Sequence, residues 1–159
     1  MNATTHQSQL LWDERCILRR LHTYSHTIDA PDIEGWLDCF TDDGVFRASG
    51  TALNAPVFEV RGQADLRTFM NRHAKRPAGL VTQHVVLQSV VDVRGSEARA
   101  RSYFMVLNGE EGTTRLRMFG RYEDVLRRDA AGEWRLQDRH AVTEAAHAEA
   151  KPLSYLTKS

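Results

Sequence analysis

From Val81 onward the chain carries little but strands, and this long β region behind a helical first half is what most limits the fold. Val81 to Val93 is rich in valine, Arg94-Gly95-Ser96 is a turn, and Ala98 to Leu107 returns as the second arm of a hairpin. A loop at Gly109 to Thr113 leads to Leu116 to Leu126, and Asp129 to Gly132 turns the chain into Trp134 to Val142. Long antiparallel strands that follow a set of helices predict an α+β fold, with the helices packed on one face of a curved sheet.

The first half supplies those helices. From about Leu10 to Ile28 the apolar residues Ile17, Leu21, Tyr24 and Ile28 recur at helical spacing and form one packing face. Pro31 and Asp32 start a second, short helix carrying Trp36, Leu37 and Phe40, which Asp42-Asp43-Gly44 ends. Val45 and Phe46 read as a short strand, and Val57 to Val60 as another. Gly62 then opens a helix with Leu66, Phe69 and Met70 on one face, stopping before Pro77. With no repeat, low-complexity tract or linker, one domain spans residues 10–145, preceded by a polar, disordered segment at 1–9 and followed by a tail at 146–159.

Composition excludes several classes of function. The 159 residues are 42% hydrophobic, enough for a substantial core, and 21 basic side chains cancel 21 acidic ones. That balance lacks the basic footprint of a nucleic-acid binder. No stretch is apolar enough for a signal peptide or a membrane span, so a cytoplasmic location is expected. Cys16 and Cys39 match no metal or redox spacing and read as reduced packing residues. His22, His26 and Asp29 have helical spacing but no further ligand cluster accompanies them, so no metal is expected. Phosphate-loop, dinucleotide and nucleophile-elbow patterns are absent, and no cofactor is expected.

What remains is an acid and an imidazole. Asp29 stands at the end of the first helix and His84 at the start of the first long strand. If folding joins them, the carboxylate accepts from one ring nitrogen and fixes the tautomer, and the other nitrogen is left to take a proton from substrate. Negative charge is unfavourable at a helix C-terminus, which makes a specific partner for Asp29 more attractive.

The order of elements and several of their residues resemble the SnoaL-like branch of the nuclear-transport-factor-2-like superfamily, whose fold is a cone of curled sheet closed by helices. The resemblance covers about Leu10 to Val142. It rests on the long first helix ending in aspartate, the segment Trp36-Leu-Asp-Cys-Phe-Thr-Asp-Asp-Gly-Val-Phe46, Gln83-His84, Gly120-Arg-Tyr-Glu-Asp124, and Gly132-Glu-Trp-Arg-Leu-Gln-Asp-Arg139. Scytalone dehydratase, bile acid 7α-dehydratase and hexachlorocyclohexane dehydrochlorinase belong to the superfamily and eliminate a leaving group with a His-Asp pair, which His84 and Asp29 resemble. The bile acid enzyme has a tyrosine five positions before its aspartate, as Tyr24 stands here. The dehydrochlorinase has an arginine five positions after a tryptophan, as Arg139 follows Trp134.

The resemblance implies a lyase or isomerase acting on a small hydrophobic cyclic substrate, with His84, Asp29, Tyr24 and Arg139 catalytic. It leaves room for a structural small subunit of a ring-hydroxylating dioxygenase, a ligand-binding domain, or an aldol-type polyketide cyclase. Homodimers or homotrimers are usual in the superfamily.

Geometry constrains these assignments. Tyr24 and Asp29 point about 140° apart on a continuous helix, so they share a cavity only if it covers the helix end or the helix breaks near Ile28; otherwise Tyr24 is core. Arg139 and Trp134 fall on opposite faces of a regular strand unless a bulge intervenes. A tight turn at Gly95-Ser96 places Tyr103 opposite Gln88 and Leu107 opposite His84, and a shift of one reverses the face. On His84's own side alternation puts Val86, Gln88 and Val90. Trp36, Phe40, Phe69, Met105 and Met118, with Tyr103 as a donor, are the pocket candidates. The tail, with Pro152, Leu153, Tyr155 and Leu156, is a candidate cover for the cone mouth or a neighbouring subunit.

Overall fold

The chain was analysed as a computed structural model, which describes residues 3–50, 57–110 and 112–146. The C-terminal tail after residue 146 lies outside the described residues. Helix α1 (Ala3–Asp29) is followed by α2 (Ile33–Leu37), strands β1 (Phe40–Ser49) and β2 (Phe58–Arg61), helix α3 (Gly62–His73), and four long strands, β3 (Val81–Arg94), β4 (Glu97–Glu110), β5 (Thr113–Arg128) and β6 (Trp134–Ala146). The strands form one sheet in the order β2-β1-β6-β5-β4-β3, antiparallel except where β1 runs parallel to β6. This is the expected α+β cone, with three helices against the concave face of a strongly curved sheet.

Ile17, Leu21, Tyr24 and Ile28 form the buried face of α1. The helix starts well before Leu10. Its first turns are exposed and polar, so no apolar period marks them, yet no proline or glycine interrupts them either. Asp13 anchors this end to the sheet. Its buried carboxylate accepts from Trp134 Nε1 at 3.1 Å and from Arg128 Nη1 at 3.1 Å. Asp32 caps α2 by accepting from the Gly35 N–H.

Phe40 departs from expectation. It lies in β1 rather than in α2, because the Leu136 N–H donates to the Cys39 carbonyl and Phe40 pairs with Leu136, a long-range ladder that local periodicity does not show. Asp42-Asp43-Gly44 therefore forms an irregularity within a strand.

Bulges give the sheet its curvature and decide which residues face inward. In the β3–β4 hairpin the two-residue turn pairs Arg94 with Glu97 and Val90 with Arg101, but the register slips between Leu87 and Val90, where Gln88 adopts φ 50°. Beyond the slip His84 pairs with Val106 and Leu87 with Tyr103. The side chains that share the inner face with His84 are thus Val86, Val91 and Val93, packed against the core, and neither Gln88 nor Val90.

Cross-strand rows then explain where the core is solid and where it is hollow. Toward the hairpin turns the rows carry Leu126, Leu136 and Phe40, which with Trp36 are fully buried. Toward the other end they carry Ala48, Ala141, Gly120 and Thr143, too small to fill the cone. At Gly120 a β-carbon would meet the Val142 carbonyl oxygen at 2.1 Å, because β5 and β6 close in where their register shifts. Gly120→Ala is expected to destabilise the fold by about 1–3 kcal/mol through overpacking, seen as a lower urea midpoint; an unchanged midpoint would show that the backbone yields there at no cost.

Candidate active site

The hollow end of the cone is a cavity of about 90 Å³, open on one side. Tyr24 and Ile28 of α1, Phe69 and His73 of α3, and His84 of β3 form one side, and Phe104, Val106, Met118 and Tyr122 form much of the sheet side.

Asp29 and His84 meet at its wall. His84 Nδ1 lies 2.6 Å from Asp29 Oδ1, and the His84 backbone N–H donates to Asp29 Oδ2 at 2.7 Å. A carboxylate oxygen accepting from Nδ1–H places the imidazole lone pair on Nε2, and among the described residues no hydrogen bond engages that nitrogen. Two N–H donors offset the poor placement of an acid at a helix C-terminus. A third group assists: Arg76 donates through Nη2 to the Ile28 carbonyl at 2.5 Å and through Nη1 to the Asp29 carbonyl at 3.3 Å, capping α1 with positive charge. Asp29 reaches His84 from behind. The 140° separation from Tyr24 is therefore no obstacle, since Tyr24 lines the cavity while Asp29 supports a residue that does.

Arg139 is elsewhere. It is fully buried and does not line the cavity. Its Nε and Nη2 donate to the two oxygens of Asp124 at 2.9 and 2.8 Å, and its guanidinium carbon sits 4.0 Å from the Tyr24 ring centre and 4.2 Å from that of Tyr122. Burial works against this charge, but Asp124 outweighs it, and the Arg139 pKa is pushed above its ordinary value. The spacing from Trp134 is resolved by a bulge at Gln137, which lets Trp134, Leu136 and Arg139 all face inward.

Of the remaining pocket candidates, Phe69 and Met118 line the cavity. Trp36 and Phe40 do not; they are solid core, with the Trp36 ring tilted against Tyr24 at 5.6 Å and against Phe40 at 4.8 Å. Tyr103, 55% exposed, and Met105 are on the outer face of the sheet, because even-numbered β4 residues face inward along the strand and the slip in β3 brings His84 onto their side.

Sequence reasoning missed His73, Tyr122 and Arg117, all of which line the cavity. His73 follows Phe69 and Met70 at helical spacing, a signal that was available. Tyr122 is two residues before Asp124 and four before Leu126, an alternation that puts all three on one face. Burial raises the Tyr24 pKa well above the ordinary phenol value and pushes that of Tyr122 up to about 12, so both hydroxyls stay protonated and able to donate. His73 is stacked on Phe69, and its ring centre is 6.2 Å from that of His84. Arg76 Nη2 lies 3.2 Å from His73 Nε2, and since a guanidinium only donates, Nε2 is the acceptor and the ring proton is on Nδ1.

Burial, followed by the neighbouring His84, Arg76 and Arg117, pushes the His73 pKa down to about 3, with Asp29 opposing.

The SnoaL-like domain model matches residues 9–140, and the chain belongs to that family. No curated protein matches it in sequence. Rv3472, a Mycobacterium tuberculosis protein of unknown function, has a structure that superposes with a TM-score of 0.77 at 26% identity, covering 90% of this chain and 78% of that one. The β subunit of a putative aromatic-ring-hydroxylating dioxygenase from Novosphingobium aromaticivorans superposes at 0.74 with 19% identity, covering 89% and 95%. A Catenulispora acidiphila protein solved in complex with S-DNPA superposes at 0.71 with 22% identity, covering 85% and 94%. At these identities the last two show the fold alone.

Two outcomes follow from this geometry. Arg139→Met or Asp124→Asn should each cost about 3–5 kcal/mol by stranding a buried charge or polar partner, while Arg139→Met combined with Asp124→Leu should cost much less than the sum; additive losses in denaturant titrations would refute the coupling. For His73 the folded-state pKa lies below the unfolded one near 6.5, so stability is full above that pH and falls as pH drops toward 3. Near pH 5 the loss is about 2 kcal/mol, and His73→Gln should remove that component from the pH profile of unfolding.

Proposed function

We propose that this protein is a cofactor-independent enzyme of the lyase or isomerase type, which abstracts a proton from carbon in a small, largely apolar cyclic substrate. One observation carries the reading: an imidazole oriented by a carboxylate at 2.6 Å, standing in the wall of an apolar cavity. His84 Nε2 is the base, and it takes a proton made acidic by an adjacent carbonyl or leaving group. Asp29 holds the ring in the productive tautomer and stabilises the imidazolium as it forms. The phenol hydroxyls of Tyr24 and Tyr122, both in the cavity wall and kept protonated by burial, donate to the carbonyl oxygen or the departing hydroxide.

Arg139 serves at one remove. Its contacts are Asp124 and the two tyrosine rings, so it positions the donors and does not touch substrate. The apolar walls raise the strength of each of these interactions by excluding water. A ring larger than the cavity itself extends through its open side. An aldol ring closure begins with the same proton abstraction and is served by the same residues, so the product decides between the two.

The test is proton exchange. Cyclic ketones and hydroxylated or halogenated ring compounds are incubated with the protein in deuterated water, and exchange at the activated carbon or loss of the leaving group is followed by NMR. His84→Ala and Asp29→Asn should each lower the rate by about 10²–10⁴-fold with an unchanged circular dichroism spectrum. Full activity in either variant would sink the mechanism. Tight binding of these compounds without exchange would instead make the cone a binding domain.

A further inference from the structure

The sheet side of the cavity carries a polar side chain that the described residues leave unused. On the inner face Thr143 of β6 pairs with Gly120 of β5, Gly120 with Phe104 of β4, and Phe104 with Val86 of β3. Thr143 lines the cavity and is 3% exposed, and its hydroxyl makes no hydrogen bond to a described residue. Ser25 Oγ is likewise unpartnered but sealed in the core, whereas the Thr143 oxygen is not sealed, and the space Thr143 borders is the cavity. Threonine suits a strand, but valine has the same shape and would spare the fold a buried hydroxyl without a partner. Ala141, Phe104, Val106 and Met118, which line the same side, are apolar. A lone hydroxyl in such a wall costs stability, and a ligand that pairs with it offsets the cost.

The backbone around Thr143 is built to hold it still. A β-carbon on Gly50, which has φ 142°, would come within 1.9 Å of the Thr143 carbonyl oxygen, and one on Gly120 within 2.9 Å of the Thr143 Cα. β6 lies between β1 and β5, so the chain leaving β1 and the chain of β5 grip Thr143 from either side at positions where only glycine fits. Thr143 also stands apart from the base. β5 and β4 separate β6 from β3, so three strand spacings, about 14 Å along the curled sheet, lie between Thr143 and the strand of His84.

We propose that Thr143 is a specificity residue of this cavity, its hydroxyl pairing with an oxygen substituent of the substrate at the edge remote from the carbon that His84 deprotonates. The preferred substrates are then ring compounds with a second oxygen function, and analogues without it are disfavoured because they leave the hydroxyl unpaired. A hydroxyl both donates and accepts, so a phenol, an alcohol or a carbonyl on that edge can pair with it. The inference rests on the reading above for the premise that this cavity is the substrate site, but recognition at Thr143 does not need His84 to act as a base.

The probes are 1-indanone and its 4-, 5- and 6-hydroxy derivatives, with binding followed by NMR titration. At least one hydroxyindanone should bind the wild-type protein about tenfold more tightly than 1-indanone does. Thr143→Ser, which keeps the hydroxyl, should retain a preference for that compound, and Thr143→Val should cut it to below about threefold. The urea midpoint of Thr143→Val should equal or exceed that of the wild type, because no hydrogen bond within the protein is lost. A lower midpoint would make the hydroxyl structural and overturn the proposal. So would a wild type that gains nothing from any added hydroxyl, a preference that survives Thr143→Val, or failure of all the probes to bind. His84→Gln should keep the preference whether or not deuterium exchange is lost. Exchange on 1-indanone without any gain from a hydroxyl would sink the role of Thr143 and spare the base; a preference that depends on Thr143 without exchange would do the reverse.

Discussion

The structure depends on one buried ion pair. Arg139 and Asp124 are cross-strand neighbours on β6 and β5, both without solvent exposure, and their paired side chains point into the cone rather than out of it. Removing two charges from water costs several kcal/mol per ion, and close, bidentate geometry is what makes this tolerable. Arg139 Nη1 makes no hydrogen bond to a described residue, and the electron-rich faces of Tyr24 and Tyr122 beside the guanidinium offset part of that deficit. One pair thereby joins two central strands to α1 and fixes two rings of the cavity wall. The solid half of the core lies on one side of it and the hollow half on the other.

This arrangement divides the labour of the inner face. Large residues fill the end near the hairpin turns, and small ones leave the other end open. The residues proposed to do chemistry come from different elements: Asp29 from the end of α1, His84 from the start of β3, and the phenols from α1 and β5. None stands alone. Arg76 holds the carbonyls that end α1 and also faces His73, so the same guanidinium sets the helix terminus from which Asp29 projects and the tautomer of the second imidazole. Depressed basicity in His73 keeps a second positive charge away from the His84 ring.

Much of this was legible in the chain. The helix–strand order announced the architecture, because periods of 3.6 and 2.0 are local properties. The Asp29–His84 juxtaposition was legible as soon as the first helix and the first long strand were assigned to one cone. The errors have one physical source. Tyr103 and Met105 were placed in the pocket, and Gln88 and Val90 on its side, because alternation was counted through the slip at Gln88. Phe40 was assigned to a helix because its partner, Leu136, is far away in sequence. Arg139 was assigned to the site by resemblance, but the bulge at Gln137 turned it inward to meet Asp124. Bulges and long-range ladders are products of tertiary packing, and a single sequence carries little trace of either.

The parallel pairing of β1 with β6 has a consequence in time. β6 runs to Ala146 and stands between β1 and β5, in the middle of the sheet. The two halves of the sheet are joined through the last of the described strands to be synthesised. Until then the hairpins of β3, β4 and β5 can form by themselves, but the β1–β2 pair has no third strand to join and the cone has no floor. A nascent chain that stalls short of Trp134 exposes two apolar sheet edges and no cavity. The cavity therefore appears only once β6 has joined β1 to β5.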